Sequence, residues 1–353
     1  MRRFLVVALL VAACGGGSGK HPTTSLPIAP EALGPTDRIL PLFPDGAQVI
    51  LEVDLKRLRE NRVVGELVTA AILGGAGDRL PAEIAAEPLA TADALVLAAY
   101  GVGTGKAATV IVLSTKTAVP NGIPLGDGLV ALGPSEWTGQ LEARAAIALA
   151  DGSKLVPPKD LMEVRDHAIP PKAPGASFRL TARLPFDARV ELARELNLDT
   201  VPSELSIWAD VVDDFAVIID ADSADGKKAS KDDLKRMDKA MRRMLLGLVS
   251  EPAVKLLGLA PSIDNARITA QGSWLRTIIV VGPDRLGRVI GRAKSMLPAA
   301  PSNEKPPTVP DAAKPVASEP PKPSEPATKT EPPPAVPTKL PNLELPKEPL
   351  VEG

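Results

Sequence analysis

Two stretches of this chain, 129 positions apart, carry the same apolar punctuation: AQVILEVDL from Ala47 and ASFRLTARL from Ala176. Each reads as a strand running straight into a helix, the first capped by Asp54 and the second opened by Pro185. A second pair, LVALGPSEW from Leu129 and IIVVGPDRL from Ile278, puts Gly-Pro at a strand-to-helix corner in each half. Common ancestry of the halves is one account of this. The other is convergent use of Gly-Pro at corners, where Gly supplies backbone freedom and Pro suits a first helical turn. The offsets of the two pairs are 129 and 149, so the second half carries about twenty more residues, expected in a helical insertion between Asp225 and Leu257.

The elements between these anchors follow one order. In the first half a strand at Gln48 to Val53 precedes a helix through Leu73, with Leu55, Leu58, Leu67 and Ala71 on one side. Strands at Ala94 to Tyr100 and Ala108 to Thr115 then form a hairpin, and a strand at Gly128 to Leu132 leads to a helix from Glu136 to Leu149. In the second half the strand is Ser177 to Arg183, the helix ends at Leu196, and Leu205 to Val212 pairs with Phe215 to Asp220. After the insertion, Ala266 to Gln271 and Trp274 to Val281 form another hairpin, followed by a helix from Arg285 to Leu297. Hairpins outnumber crossovers, so the expected fold class is α+β: two similar lobes of mainly antiparallel sheet with helices on one face. The lobes span 44–150 and 176–297, joined by a linker at 151–175.

Composition limits what such a body can do. Aromatic residues make up 3% of the chain, so the core is built from Leu, Val, Ile and Ala, and an aromatic-lined sugar or peptide cleft is not expected. The net charge is −2 with the signs interspersed along the sequence, and no nucleic-acid partner is expected. Seventeen of the thirty-eight prolines fall between Pro298 and Gly353, where Lys and Glu alternate and no aromatic occurs. That composition cannot offset its ordering entropy, so 298–353 is expected to be a disordered tail of polyproline II character. A flexible tether is expected at 14–43.

The N-terminus, MRRFLVVALLVAACGGG, sets two arginines before ten apolar residues, Phe4 to Ala13. Ten residues make about 15 Å of helix, half the roughly 30 Å hydrocarbon core, so the run is a signal peptide rather than a span. Val11-Ala12-Ala13-Cys14 resembles the lipobox of bacterial lipoproteins at all four positions. The resemblance implies cleavage after residue 13, acyl chains on Cys14, and a membrane-attached protein, expected at the outer membrane facing the periplasm because Gly15 rather than Asp follows the cysteine. Cys14 is the chain's one cysteine, so no disulfide can form within it.

Motifs for chemistry fail on spacing. Gly101, Gly103 and Gly105 before Lys106 suggest a phosphate loop, yet Tyr100 stands where its first Gly belongs and a strand follows instead of a helix. Asp220, Asp222 and Asp225 suggest a calcium loop, but Ala224 and Lys231 occupy ligand positions. The two histidines, His21 and His167, lie in expected loops far apart in sequence. The helix from Lys231 carries Leu234, Met237, Met241, Met244, Leu245 and Leu248 at helical spacing. These residues suit packing on the sheet, a lid over an apolar ligand, or contact with a membrane surface. No catalytic, cofactor or metal residue is expected. The sequence points to a noncatalytic envelope lipoprotein with a possible envelope protein partner for the body or tail, or a spacer. The alternative is a periplasmic carrier of lipid or another apolar ligand, which requires an internal cavity of about 300 to 1,000 Å³.

Overall fold

The computed structural model describes residues 34–73, 86–151, 155–170, 175–222 and 229–296. The expected signal, Cys14, most of the expected tether and the expected Pro-rich tail lie outside the described residues. The body is α+β, built on one ten-stranded antiparallel sheet in the order β4-β5-β3-β2-β1-β6-β7-β8-β10-β9. The strands are β1 (Val49–Asp54), β2 (Ala94–Tyr100), β3 (Ala108–Ser114), β4 (Ile123–Gly126), β5 (Leu129–Leu132), β6 (Phe178–Arg183), β7 (Glu204–Val211), β8 (Phe215–Asp222), β9 (Arg267–Gln271) and β10 (Trp274–Val281).

Read outward from the middle, the halves repeat. The first runs β1-β2-β3-β5-β4 and the second β6-β7-β8-β10-β9, the same order of pairing. They meet as β1 against β6, where Val49 pairs with Ala182, Leu51 with Leu180 and Val53 with Phe178. Leu180 is the residue 129 positions after Leu51, so the register of this pair is that of a local dyad passing between them. The two lobes expected from the sequence are therefore halves of one sheet. Their first strands, alike in pattern, expose equivalent edges that pair with each other instead of ending two separate sheets.

The side-chain period of two sorts this sheet into two cores. On one face Leu51, Val53, Leu95, Leu113, Phe178, Val217, Ile219 and Leu275 join a cluster with helices α1 (Leu55–Glu60), α2 (Gly65–Leu73), α3 (Ala86–Thr91), α7 (Lys231–Ser250), α8 (Pro252–Leu257), α9 (Ala260–Asp264) and α10 (Pro283–Met296). On the other face Ile50, Val96, Ala98, Val110 and Val112 pack under a 3-10 turn at Leu40–Leu42, α4 (Ser135–Asp151) and α5 (Lys159–His167). Helices thus lie on both faces, a correction to the one-faced arrangement. The reason is visible in β2 and β3, ALVLAAY and ATVIVLS, which are apolar on both sides and must be covered on both. The remaining helix, α6 (Phe186–Leu196), sits by the β2–β3 turn, where Gly103 approaches Ala188 so closely that a Cβ would meet its side chain at 2.8 Å.

Three boundaries differ from the sequence reading. The helix expected from Asp54 to Leu73 breaks at Asn61, whose Oδ1 accepts from the amides of Val63 and Val64 while its Nδ2 donates to Val211 O. The linker contains α5, with Leu161 and Val164 buried, and the body begins earlier than residue 44, because Ile39, Leu40 and Phe43 are fully enclosed. The corners Gly133-Pro134 and Gly282-Pro283 occupy different heights of the sheet. Gly133 follows Leu132, paired with Ile111 midway along β3, whereas Gly282 follows Val281, paired with Phe215 at the start of β8. Strand β5 has four residues and β10 eight, and the helices beyond them, α4 and α10, cover opposite faces.

Candidate functional site

The densest polar feature lies on the α5 side of the sheet, at the junction of the halves. Alternation along β1 turns Glu52 to the same side as Ile50, under α5, where it is 2% exposed. Arg165 of α5 grips it with two of its three guanidinium nitrogens, Nε donating to Oε1 at 2.7 Å and Nη2 to Oε2 at 2.7 Å. The same Nη2 donates to Asp37 Oδ1 at 2.6 Å, and Arg179, opposite Glu52 in the β1–β6 register, stands 3.8 Å from both carboxylates. Burial works against the charge of Arg165, but the hydrogen bond and field of Glu52, and then Asp37, outweigh it and hold the pKa above the ordinary guanidinium value. Burial pushes Arg179 down, and the neighbouring Arg165 adds to that. Four separate stretches of chain are tied here by two carboxylates and two guanidiniums.

Two further buried carboxylates on this side repeat the motif. Asp210 of β7 accepts from Arg57 Nε at 2.8 Å and Nη2 at 2.6 Å, and from Ser177 Oγ at 2.8 Å. Asp220 of β8 accepts from Arg276 Nε at 2.9 Å and Nη2 at 2.6 Å, and that Nη2 also donates to His167 O. The His167 ring stacks on Trp274 with centroids 3.9 Å apart. Bidentate Arg–carboxylate pairs are strong and demanding in their geometry, and they leave the carboxylate with little capacity for proton transfer or a cation. Each of these pairs ties a β-strand to another stretch of chain.

The residues singled out in the sequence are dispersed. Asp220 and Asp222 point to one side of β8 and are buried, Asp222 accepting from Ser203 Oγ at 3.3 Å, while Asp225 lies outside the described residues. Among the described residues no group of three His, Cys, Asp or Glu side chains is placed to hold a metal ion. Gly101 and Gly103 take positive φ in a turn whose Val102 amide is bound by Gln48 Oε1 at 2.5 Å and whose Thr104 hydroxyl donates to Gly101 O at 2.7 Å, and β3 follows. Met237, Met241 and Leu245 of α7 are buried on the sheet, and Ser230 and Asp233 form the reciprocal cap at the start of that helix. A surface depression of about 250 Å³ lies along α5, lined by Val156, Pro157, Lys159, Met162, Glu163 and Asp166. It is made by a single stretch of chain.

Sequence reasoning missed the ion pairs at Glu52, Asp210 and Asp220. A signal existed for one: Glu52 interrupts the apolar run of QVILEV at an inward position. Its partners come from positions 37, 165 and 179, which no local pattern links to it.

No protein-family model matches the chain, and no curated protein matches it. Among solved structures, crystal form I of the protein TP0453 matches with a TM-score of 0.35 and 12% identity, over 72% of this chain and 96% of that one. At that score the likeness carries no argument about fold or activity. Among the described residues no helix is long and apolar enough to cross a membrane.

Proposed function

We propose that the chain is an exported bacterial lipoprotein, anchored by acyl chains on Cys14, whose body engages a protein partner in the cell envelope while the Pro-rich segment acts as a spacer. The observation that carries the reading is Val11-Ala12-Ala13-Cys14 directly after the two arginines and the apolar run that begins at Phe4. Acyl burial contributes about 0.8 kcal/mol per CH₂, so more than one chain gives stable attachment. Placement at the outer membrane, facing the periplasm, belongs to the same reading.

A noncatalytic role is supported by the state of the buried acids. Glu52, Asp210 and Asp220 each meet an arginine in bidentate geometry, an arrangement suited to rigidity. A partner-binding role is favoured over a carrier because apolar side chains that would line a carrier's cavity pack on one another. Leu113 faces one core and Val112 the other, each with no exposure. The Leu51–Leu180 register and the repeated strand order support descent of the halves from a duplicated unit, against convergence.

The test is metabolic labelling with palmitate in the native host. The unaltered protein is expected to incorporate label and Cys14→Ser to incorporate none and keep its signal; label in the variant would sink the anchoring. Native mass spectrometry of the protein taken from its membranes then reads the partner. A retained lipid stoichiometric with the body, beyond the acyl chains, would replace the partner reading with the carrier.

A further inference from the structure

The charges that look interspersed along the sequence are sorted in space. Helix α8 neighbours both α7 and α10 on one face of the sheet, and the three together carry eleven Lys and Arg against four Asp. Helix α4, across the sheet, carries a net −2.

The compensation within this layer is uneven. On α7, Lys235, Arg236 and Arg242 pair with Asp232, Asp233 and Asp238 of the same helix, and Lys239 and Arg243 reach Asp199. On α10, Asp284 lies in the first turn and Lys294 pairs with Glu66 of α2. Among the described residues no ion pair is made by Lys255, Arg288 or Arg292, and Arg292 Nη1 donates only to Leu256 O at 3.4 Å. Arg288, Arg292 and Met296 follow at four-residue spacing, one stripe of α10. The same three helices carry single large apolar side chains turned to solvent: Leu246 at 62%, Leu256 at 60% and Met296 at 52% exposure.

We infer that the α8–α10 face, with Leu246 of the adjoining α7, docks the body on the surface of an anionic lipid bilayer. The composition separates this occupant from a protein. Protein interfaces concentrate a contiguous apolar or aromatic centre and deplete charge from it, whereas here the same helices carry single exposed apolar side chains and long cations without an ion-pair partner among the described residues. Cations of that kind keep their heads among phosphates while leucines enter the headgroup boundary. Gly34 is twenty positions after Cys14, a contour of at most about 70 Å, short enough to keep the body at high local concentration over the bilayer that holds the anchor. This last point rests on the lipoprotein reading; the charge and exposure do not.

The test uses residues 14–353 carrying Cys14→Ser, so that no acyl chain contributes, in sedimentation with vesicles of phosphatidylcholine with and without phosphatidylglycerol. Retention is expected only on the anionic vesicles, and raised salt is expected to release it. Each basic residue near such a surface contributes about fivefold, so Lys255→Gln, Arg288→Gln and Arg292→Gln together should lower the partition roughly a hundredfold. Leu246→Ser with Leu256→Ser should weaken retention at unchanged charge. No retention at low salt, equal retention on neutral vesicles, or retention indifferent to the triple variant would overturn the inference. So would binding to heparin as tight as to the vesicles and unaffected by the leucine changes, which marks a general polyanion site. Because the acyl site is absent throughout, none of these outcomes bears on the palmitate result.

Discussion

Gly133 lies against the backbone of Thr109 so closely that a Cβ at this position would stand 2.8 Å from the Thr109 carbonyl oxygen. Its φ of +141° belongs to a region that side chains rarely enter. Gly282, its counterpart in the sequence repeat, has open space where a Cβ would stand and no positive φ. The two glycines look alike in GPS and GPD, yet only one is demanded by the fold.

Gly133→Ala is accordingly expected to cost about 1–3 kcal/mol, while Gly282→Ala stays within roughly 0.5 kcal/mol of the parent. Urea unfolding of the two variants measures the difference. Equal losses would show that the corner heights do not govern the requirement for glycine.

The Glu52–Arg165 pair gives a sharper test of what holds the halves together. Replacing one member of a buried ion pair strands the other, and Arg165→Met is expected to cost about 3–5 kcal/mol. Glu52→Gln with Arg165→Met removes both charges from the pair and should recover a large part of that loss. A double variant as unstable as the single one would mean that Asp37 and Arg179, rather than Glu52, set the energetics of the cluster.

Much of the strand content was legible because the alternation is local. β2 and β10 fall where ALVLAAY and WLRTIIVV place them, and the α7 cap at Ser230 and Asp233 follows from four adjacent residues. β4 was missed because Pro124 and the flanking Gly122 and Gly126 read as a turn, and an edge strand tolerates them. α5 was missed because Pro157 and Pro158 before it and Pro170 after it bracket its nine residues, and nothing within them shows that Arg165 has a buried partner at Glu52, 113 positions away. The joining of the halves depends on which edges meet. Leu51 and Leu180 carry the repeat in their sequence, but not the fact that they face each other.

Acid sensitivity is expected at the start of α7. Hydrogen bonds from the Ser230 hydroxyl and amide, and then Arg236, hold Asp233 down to about 2. A carboxylate depressed in the folded state contributes stability fully above its unfolded pKa, and that contribution is lost as pH falls through the folded value. Between about pH 4 and pH 2 the parent should therefore lose thermal stability faster than Asp233→Asn, and added salt should narrow the gap because the group is exposed. Parallel slopes for the two proteins would remove the cap from the account.

The last expectation concerns Pro298 to Gly353, for which the argument is compositional. Its seventeen prolines, none with an amide to donate, interrupt any regular sheet or helix, and no aromatic residue supplies a large apolar area to bury. Docking such a segment would require the scattered Leu340, Leu343, Leu345 and Leu350 to offset the entropy of ordering it, at about 1–2 kcal/mol per residue for the backbone alone. Deleting 298–353 is therefore expected to leave the thermal midpoint of the body nearly unchanged. The contribution expected of it is reach: in polyproline II form, fifty-six residues at about 3.1 Å each would give a contour near 170 Å, shortened by thermal bending. The leucines between Leu340 and Val351 add a second expectation, since a short motif for a partner would be lost with the segment while stability is kept. Calorimetry of the truncated protein, run beside a partner pull-down, separates the two roles. A midpoint lowered by more than a few degrees would mean that the segment packs on the body, and the spacer role would have to be abandoned.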